Sequence, residues 1–403
     1  MLQYIDSVAL RNKRILLRAD FDVSLNPDNT IANDTRISSN LPTIKYLLNG
    51  TNRLICVAKL GRPKGRDKKY SLQVVVDRLQ KYLPEYKVRL INDFLTEKET
   101  VFHDQQPDEV FVLENIRFYP EEKKNDAEFA KRLASLADVY VNDGFAVCHR
   151  DEASVTGVAR LLQSYGGLLL KKELDVLNSL LAHPKKPFVA IMGGAKIDTK
   201  IHVIGKLMEI ADSLLVGGAL ATPFFKARGY NIGGSLYEEG SEEFAKQLLD
   251  MAEKKHTKIH LPVDVVLGIP KNMTDGGVVV RPEEIVPNEH GWILDIGPET
   301  LALYGAIVAN AQTVLWNGPM GYVEHPSFRR GTDFIYYSIA HNERAVSVVG
   351  GGDTLATISK KEYIDKITHV STGGGAMLEY IEKGTLVGID VLKNSKFEIL
   401  SSK

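Results

Sequence analysis

Short runs of β-branched and other apolar residues alternate along the chain with stretches whose apolar positions recur at helical spacing. That alternation is the pattern of parallel sheets covered by helices on both faces. The runs predict strands at 15–17, 54–58, 110–113 and 139–141 in the first part. A second set is predicted at 188–192, 213–216, 258–261, 313–316, 346–349 and 369–371. Between the sets, 161–181 is apolar at helical spacing with Lys171, Lys172, Glu173 and Asp175 on the opposite face, which predicts a long amphipathic helix. The stretch from Pro184 to Pro187 breaks it. The fold class is therefore α/β: two doubly wound, Rossmann-like parallel-sheet domains, joined by a stiff connector helix. The boundary is placed within the predicted helix, giving 1–165 and 166–387. The halves share an architecture and no sequence repeat.

Composition narrows the function. With 403 residues, 44% hydrophobic and 25% charged, the chain has ordinary globular usage and room for two or three cores. A net charge of −1 offers no general attraction to nucleic acid or to an anionic membrane, so anions must be bound by local clusters. No run approaches the ~18 apolar residues of a membrane span, and the opening MLQYIDSVALRNKR has no apolar stretch followed by a cleavage site, so a cytoplasmic location is expected. Two cysteines, Cys56 and Cys148, are too few for a disulfide framework or a multi-cysteine zinc site.

Ligands of open parallel sheets bind at the carboxyl ends of the strands. In the first half those ends carry Arg18, Asp20 and Asp22, then Lys59 and Arg62, then Arg117, then Asn142, Asp143, His149 and Arg150, with Arg36 in an NDTRI segment between. Guanidinium groups bind phosphate and carboxylate bidentately. Any one of these arginines could equally serve a surface ion pair. Several at successive strand ends point to a docking site for a small polyanion, because no aromatic or lysine-rich helix accompanies them.

The second half places glycines at the same positions. They are GGAKIDTK (193–200), Gly217 with Gly218, WNGPMG (316–321), GGGDT (350–354) and STGGGA (371–376). Such loops let backbone amides approach phosphate, a following helix adds its dipole, and Lys196 and Lys200 can neutralise charge. There is no G-x-x-x-x-G-K-[ST], and no single cluster exceeds what a tight strand-to-helix turn requires. Together they point to a mononucleotide. Asp353 could hold a phosphate-bridged Mg²⁺ or simply cap a helix.

The ordered motifs RADFDVSL, DTRISSNLPTIKYLL, LGRPKG, LENIRFYPEE, VNDGFAVCHR, GGAKIDTK, DIGPET, WNGPMGYVE, GGGDT and HVSTGGGAMLEYI resemble the phosphoglycerate kinase family over essentially the full length. The resemblance implies a glycolytic enzyme, and since hinge closure within one chain needs no partner a monomer is expected. It would transfer a phosphoryl group reversibly between 1,3-bisphosphoglycerate with ADP and 3-phosphoglycerate with ATP, using Mg²⁺, after hinge closure. It implies phosphoglycerate on Asp20, Arg36, Arg62, Arg117 and Arg150 with Arg18 close by, and Asp22 and Lys59 are expected in the same site. It implies nucleotide on Gly194, Ala195, Lys196, Lys200, Gly217, Gly218, Asn317, Pro319, Glu324, Gly351, Gly352, Asp353 and Thr354, with the metal on Asp353. Arg36, Lys196 and Gly350 to Gly352 would surround the phosphoryl in transit, Glu173 and His369 would resemble the hinge pair, and the segment 388–403 would complete the first domain.

Three departures from that pattern stand out. Asp22 replaces an asparagine, Lys59 a histidine, and Asp151 with Glu152 an Ala-His pair. A carboxylate facing an anionic substrate is unfavourable, so Asp22 and Lys59 are expected to compensate one another. An already ionised carboxylate nucleophile needs no general base, which accounts for the missing Ser-His-Asp or Cys-His constellation. The alternatives are a nucleotide-dependent enzyme acting on another acidic metabolite, a non-catalytic binder descended from the kinase, and a hinged solute-binding protein.

Overall fold

Valine, isoleucine and leucine fill the interiors of the predicted runs, and two buried faces explain why those runs scarcely alternate. The computed structural model describes residues 2–195, 200–269, 276–286, 291–352, 354 and 361–393. The chain forms two units: one runs to Asp175 and resumes at Lys383, the other is Val176–Glu382. The first change of unit falls ten residues after the break placed at 165, inside the helix Leu168–Ala182, and the second five residues before the one placed at 387.

The first unit contains β1 (Arg14–Arg18), the small antiparallel pair β2 (Ser24–Leu25) and β3 (Ile31–Asn33), β4 (Arg53–Val57), β5 (Lys87–Ile91), β6 (Glu109–Leu113), β7 (Val139–Asn142) and β8 (Gln163–Gly166). Six of these make one parallel sheet in the order β5-β6-β4-β1-β7-β8. The strand order reverses at β1 and β7, so a crevice is expected beyond their carboxyl ends. The core on one face packs Ile15, Leu17, Leu54, Cys56, Val110, Val112 and Val141 against Ile37, Ile44, Val75 and Leu79 of the covering helices. Each such side chain stabilises the unit by roughly 1.5–3 kcal/mol relative to exposure.

Residues 163–166 correct the expected helix. They form edge strand β8, and the helix starts only at Leu168. The cause lies at the end of β7: the buried Asp143 carboxylate accepts the N–H groups of Leu169 (2.9 Å) and Leu170 (3.1 Å), capping the helix from a distant strand. A Cβ on Gly167 would overlap that carboxylate. Asp143 is thus a cap, and burial pushes its pKa up to about 6. Strand β5 also escaped the periodicity, because its residues KVRLI are exposed or half-buried except at Ile91.

The second unit contains β9 (Phe188–Met192), β10 (Ser213–Val216), β11 (Lys258–His260), β12 (Val265–Gly268), β13 (Val278–Val280), β14 (Trp292–Ile296), β15 (Thr313–Asn317), β16 (Val346–Gly350) and β17 (His369–Ser371). Its parallel sheet has the order β11-β10-β9-β15-β16-β17, reversing between β9 and β15. An antiparallel sheet β13-β12-β14, whose three strands were not among the predicted runs, is added beside it. Trp316, Tyr304, Val314 and Ile335 lie in its core.

At the end of β14, Asp295 accepts the N–H of Gly331 (2.9 Å), where the helix Arg330–Ala340 begins. Burial raises its pKa to about 7. A folded-state pKa above the unfolded value means the stability contribution is full below the unfolded pKa near 3.8 and is lost as pH rises through about 7. The second unit should therefore lose on the order of 2 kcal/mol through this group between pH 5 and 7.5. Asp295→Asn should remove that slope, as read by urea unfolding; Trp292 and Trp316 are the chain's only tryptophans and both report on this unit.

After the second unit, the helix Val387–Lys393 lies in the first unit, where Gly388 donates to the carbonyl of Cys148 (2.8 Å). Residues 394–403 of the segment expected there lie outside the described residues. Cys56 and Cys148 are buried free thiols whose pKa values burial pushes up to about 12, which fits ordinary packing.

Candidate functional site

Beyond β1 the chain turns through Asp20 and Asp22, and each carboxylate meets a cation from a neighbouring element. Arg36, in the first turn of the helix Thr35–Leu48, donates to Asp20. Lys59, just after β4, donates to Asp22, whose other oxygen accepts the Gly61 N–H (2.7 Å). Burial alone would raise the pKa of Asp22, but the charge and hydrogen bond of Lys59 outweigh it and hold the group below the usual carboxylate range. Arg36 shows the converse: burial disfavours its charge, and Asp20 and Asp22 overcome this to raise its pKa. The expected compensation between Asp22 and Lys59 is therefore a direct ion pair.

Arg18 is 1% exposed and spans the end of β1, donating through Nε to Ser154 Oγ (2.9 Å) and through Nη1 to the Ala19 carbonyl (2.7 Å). Ser154 is itself held by Glu122, which accepts both its N–H (2.9 Å) and its hydroxyl (2.6 Å). Arg117, in the turn Ile116–Phe118 after β6, donates to both oxygens of Glu152. Arg150 approaches the same carboxylate at 3.7 Å, whereas Arg62 is exposed. Arg18 Nη2, Arg117 Nε and Arg150 Nε are buried and have no hydrogen-bond partner. Orphaned guanidinium N–H groups each cost about 1–3 kcal/mol, a deficit that an anion's oxygens would remove.

In the second unit, the loops after β9 and β15 interlock at the strand-order reversal. Gly193 donates to the Asn317 carbonyl (3.0 Å), and Gly194 to that of Pro319 (2.8 Å). Gly318 donates to Thr354 Oγ1 (2.8 Å), and Asn317 Nδ2 to the carbonyl of Gly350 (3.0 Å), the last residue of β16. The buried amine of Lys200 donates to the Gly193 carbonyl. Gly194 (φ +86°) and Gly318 (φ +93°) both occupy the left-handed region, and a Cβ on either would crowd that amine, at 3.2 and 2.7 Å respectively. Glycine is needed here to admit the lysine and to make the turn.

A cavity of about 310 Å³ opens beside these loops, lined by Gly194, Ala195, Gly218, Pro319 and Glu324 among the expected residues. Leu236, Trp292, Ile293, Leu294 and Tyr322 add its bulky wall. An apolar cleft with a few polar groups at its edge suits a flat heterocycle. The sequence reading missed the wall because three of its members lie on β14, in the antiparallel sheet that was not foreseen; the adjacent tryptophan and aliphatic run WIL was the only available signal. Lys196 and Asp353 lie outside the described residues.

The phosphoglycerate kinase family model matches residues 5–384. This chain belongs to the phosphoglycerate kinase family. A phosphoglycerate kinase of Desulforudis audaxviator is 45% identical over 97% of this chain and 98% of its own length, and the cytosolic phosphoglycerate kinase 3 of Arabidopsis thaliana is 43% identical over 94% and 95%. The solved structure of the Coxiella burnetii phosphoglycerate kinase superposes with a TM-score of 0.82 at 37% identity, covering 98% of this chain and 99% of that one. The Pyrococcus horikoshii phosphoglycerate kinase structure gives 0.83 at 29% identity. The chain is thus a phosphotransferase with the fold of its family, two parallel-sheet α/β domains.

Proposed function

We propose that this chain transfers a phosphoryl group reversibly between ATP and the carboxylate of 3-phosphoglycerate, giving ADP and 1,3-bisphosphoglycerate. The observation that carries the reading is the division of chemistry between the two sheets. Cations with unpaired buried donors stand at the strand ends of the first, and glycine loops around a buried lysine and an apolar cavity stand at those of the second. Arg18, Asp20, Asp22, Arg36, Lys59, Arg62, Arg117 and Arg150 would take phosphoglycerate, and the second unit's loops the nucleotide.

In the forward step a carboxylate oxygen of phosphoglycerate attacks the γ-phosphorus in line, the bond from that phosphorus to its bridging oxygen breaks, and ADP leaves without any proton transfer. Catalysis is then a matter of position and charge: Arg36, Lys196 and the amides of Gly350 to Gly352 stabilise the phosphoryl in transit. With the two ligands held by separate units, a hinge motion has to bring them together and exclude water.

Among the described residues no cluster of three or more His, Cys, Asp or Glu could cage a metal. Mg²⁺ does not need one, since it accepts one or two protein oxygens plus phosphate and water. Asp353 would supply such an oxygen beside Thr354, whose hydroxyl sits against the Gly318 N–H. When bound, the ion neutralises charge on the nucleotide phosphates. A cytosolic, monomeric enzyme completes the proposal, in keeping with two plant relatives named cytosolic.

The test is a coupled assay of ATP-dependent phosphorylation of 3-phosphoglycerate, with Mg²⁺ or with chelator, on wild type and Lys196→Ala. Magnesium-dependent turnover lost in the variant is expected; nucleotide binding without turnover would indicate a non-catalytic binder or another acidic substrate. In the same assay Lys59→His should raise KM for phosphoglycerate by about tenfold, because Asp22 would be left facing the anion with its partner weakened. A lowered KM would refute the compensating pair.

A further inference from the structure

The carboxylate on Arg117 deserves an explanation that packing does not supply. Arg117 and Glu152 have side chains only 5% and 6% exposed, and one guanidinium nitrogen, Nη2, reaches both carboxylate oxygens at 2.7 and 2.9 Å. The fit is incomplete, since Arg117 Nε, Arg150 Nε and Arg18 Nη2 remain buried without acceptors around it. A two-oxygen carboxylate borne on a turn engages only part of a three-arginine cluster. A phosphate carries more acceptor oxygens and could reach several of these donors at once.

Nor does the local backbone depend on the Glu152 side chain. Its carbonyl already anchors the turn Ala153–Gly157 by accepting the N–H groups of Val155 (3.0 Å) and Thr156 (2.9 Å). Ser154 is held by Glu122, and neighbouring Asp151 is engaged by Asn125 (2.8 Å) and Thr156. Among the described residues, the carboxylate of Glu152 makes its ion pairs with Arg117 and Arg150 alone. It can therefore rotate away without unravelling the turn.

We propose that Glu152 is a built-in competitor for the substrate anion, occupying Arg117 in the empty site and yielding it when 3-phosphoglycerate binds. The inference rests on the reading above that Arg117 is a phosphoglycerate ligand. Glu152 is then a specificity-determining residue that sets affinity. It keeps the arginine cluster from being filled by weaker anions, such as inorganic phosphate, and makes the substrate displace a buried ion pair before it docks. Removing the charge frees Arg117 at nearly constant volume.

The experiment measures KM for 3-phosphoglycerate at saturating magnesium nucleotide, and its Kd by calorimetry without nucleotide, for wild type, Glu152→Gln and Arg117→Ala. Glu152→Gln should lower both KM and Kd about tenfold, the scale of one charge-assisted bond no longer displaced, while KM for the nucleotide stays put. An unchanged or raised KM overturns the proposal, because Glu152 would then serve only to hold Arg117 in place. Should the glutamine variant fail to fold, Glu152→Asp keeps the charge but shortens its reach, and must likewise lower KM. Arg117→Ala separates the two failures. If it raises KM and the Glu152 variants do not lower it, only the competitor is refuted; if it leaves KM unchanged, the reading of Arg117 falls and the competitor with it.

Discussion

Arg36→Ala should lower kcat about 10³-fold, the loss seen when a preorganised charge on a developing transition state is removed. The side chain leaves the first turn of the helix Thr35–Leu48 and is fixed by Asp20, so the guanidinium is oriented before any ligand arrives. Preorganisation of this kind acts on the transition state more than on the ground state, so kcat should suffer more than the nucleotide's KM. Arg36→Lys keeps the charge without the planar fork and should recover only part of the activity. Because Asp20 is 3% exposed and would lose its partner, Arg36→Ala should also destabilise the first unit by about 1–3 kcal/mol. Steady-state kinetics together with thermal unfolding check both parts. A variant with near-normal kcat would remove Arg36 from the transfer step.

Gly318→Ala should be nearly as damaging by an unrelated route. At φ +93° an alanine is strained, and its Cβ would overlap the Gly193 backbone carbonyl and crowd Lys200 Nζ at 2.7 Å. The loops after β9 and β15 are tied together by backbone hydrogen bonds, so neither can retreat without breaking the other. The expected outcome is a loss of about 2–4 kcal/mol of stability in the second unit and at least a hundredfold weaker nucleotide binding. Nucleotide titration by calorimetry and tryptophan-monitored unfolding provide the measurements. Phosphoglycerate binding to the first unit should persist, and its loss as well would contradict two separately folded units.

How much of this could be read beforehand follows from how local each feature is. The ten predicted strands are present to within about a residue at each end, because buried parallel strands demand unbroken apolar runs and glycine-rich or charged ends mark their limits. Edge strand β5 carries charge and one exposed side, and β8 carries polar residues and glycine in place of an apolar run, so the same rule passed over them. The clustering of arginines and glycines at strand ends pointed to two kinds of anion site. It left open which arginines were already occupied, since Arg117 and Glu152 are separated by 35 positions and meet only through the fold. Asp143 was legible only as a residue at the end of β7, and its role as a helix cap is set by Leu169 and Leu170.

Sequence alone determined the fold class, the family and the chemical character of each strand end, because hydrophobic period, glycine placement and ordered motifs are properties of neighbouring residues. Tertiary structure decided the pairings: Asp20 with Arg36, Asp22 with Lys59, Glu152 with Arg117, and Lys200 with the Gly193 carbonyl. It also decided the wall that β14 lends to the cavity. Charge and hydrogen-bond energies depend on distances of a few ångströms and on burial, and both arise only once remote segments are packed against each other.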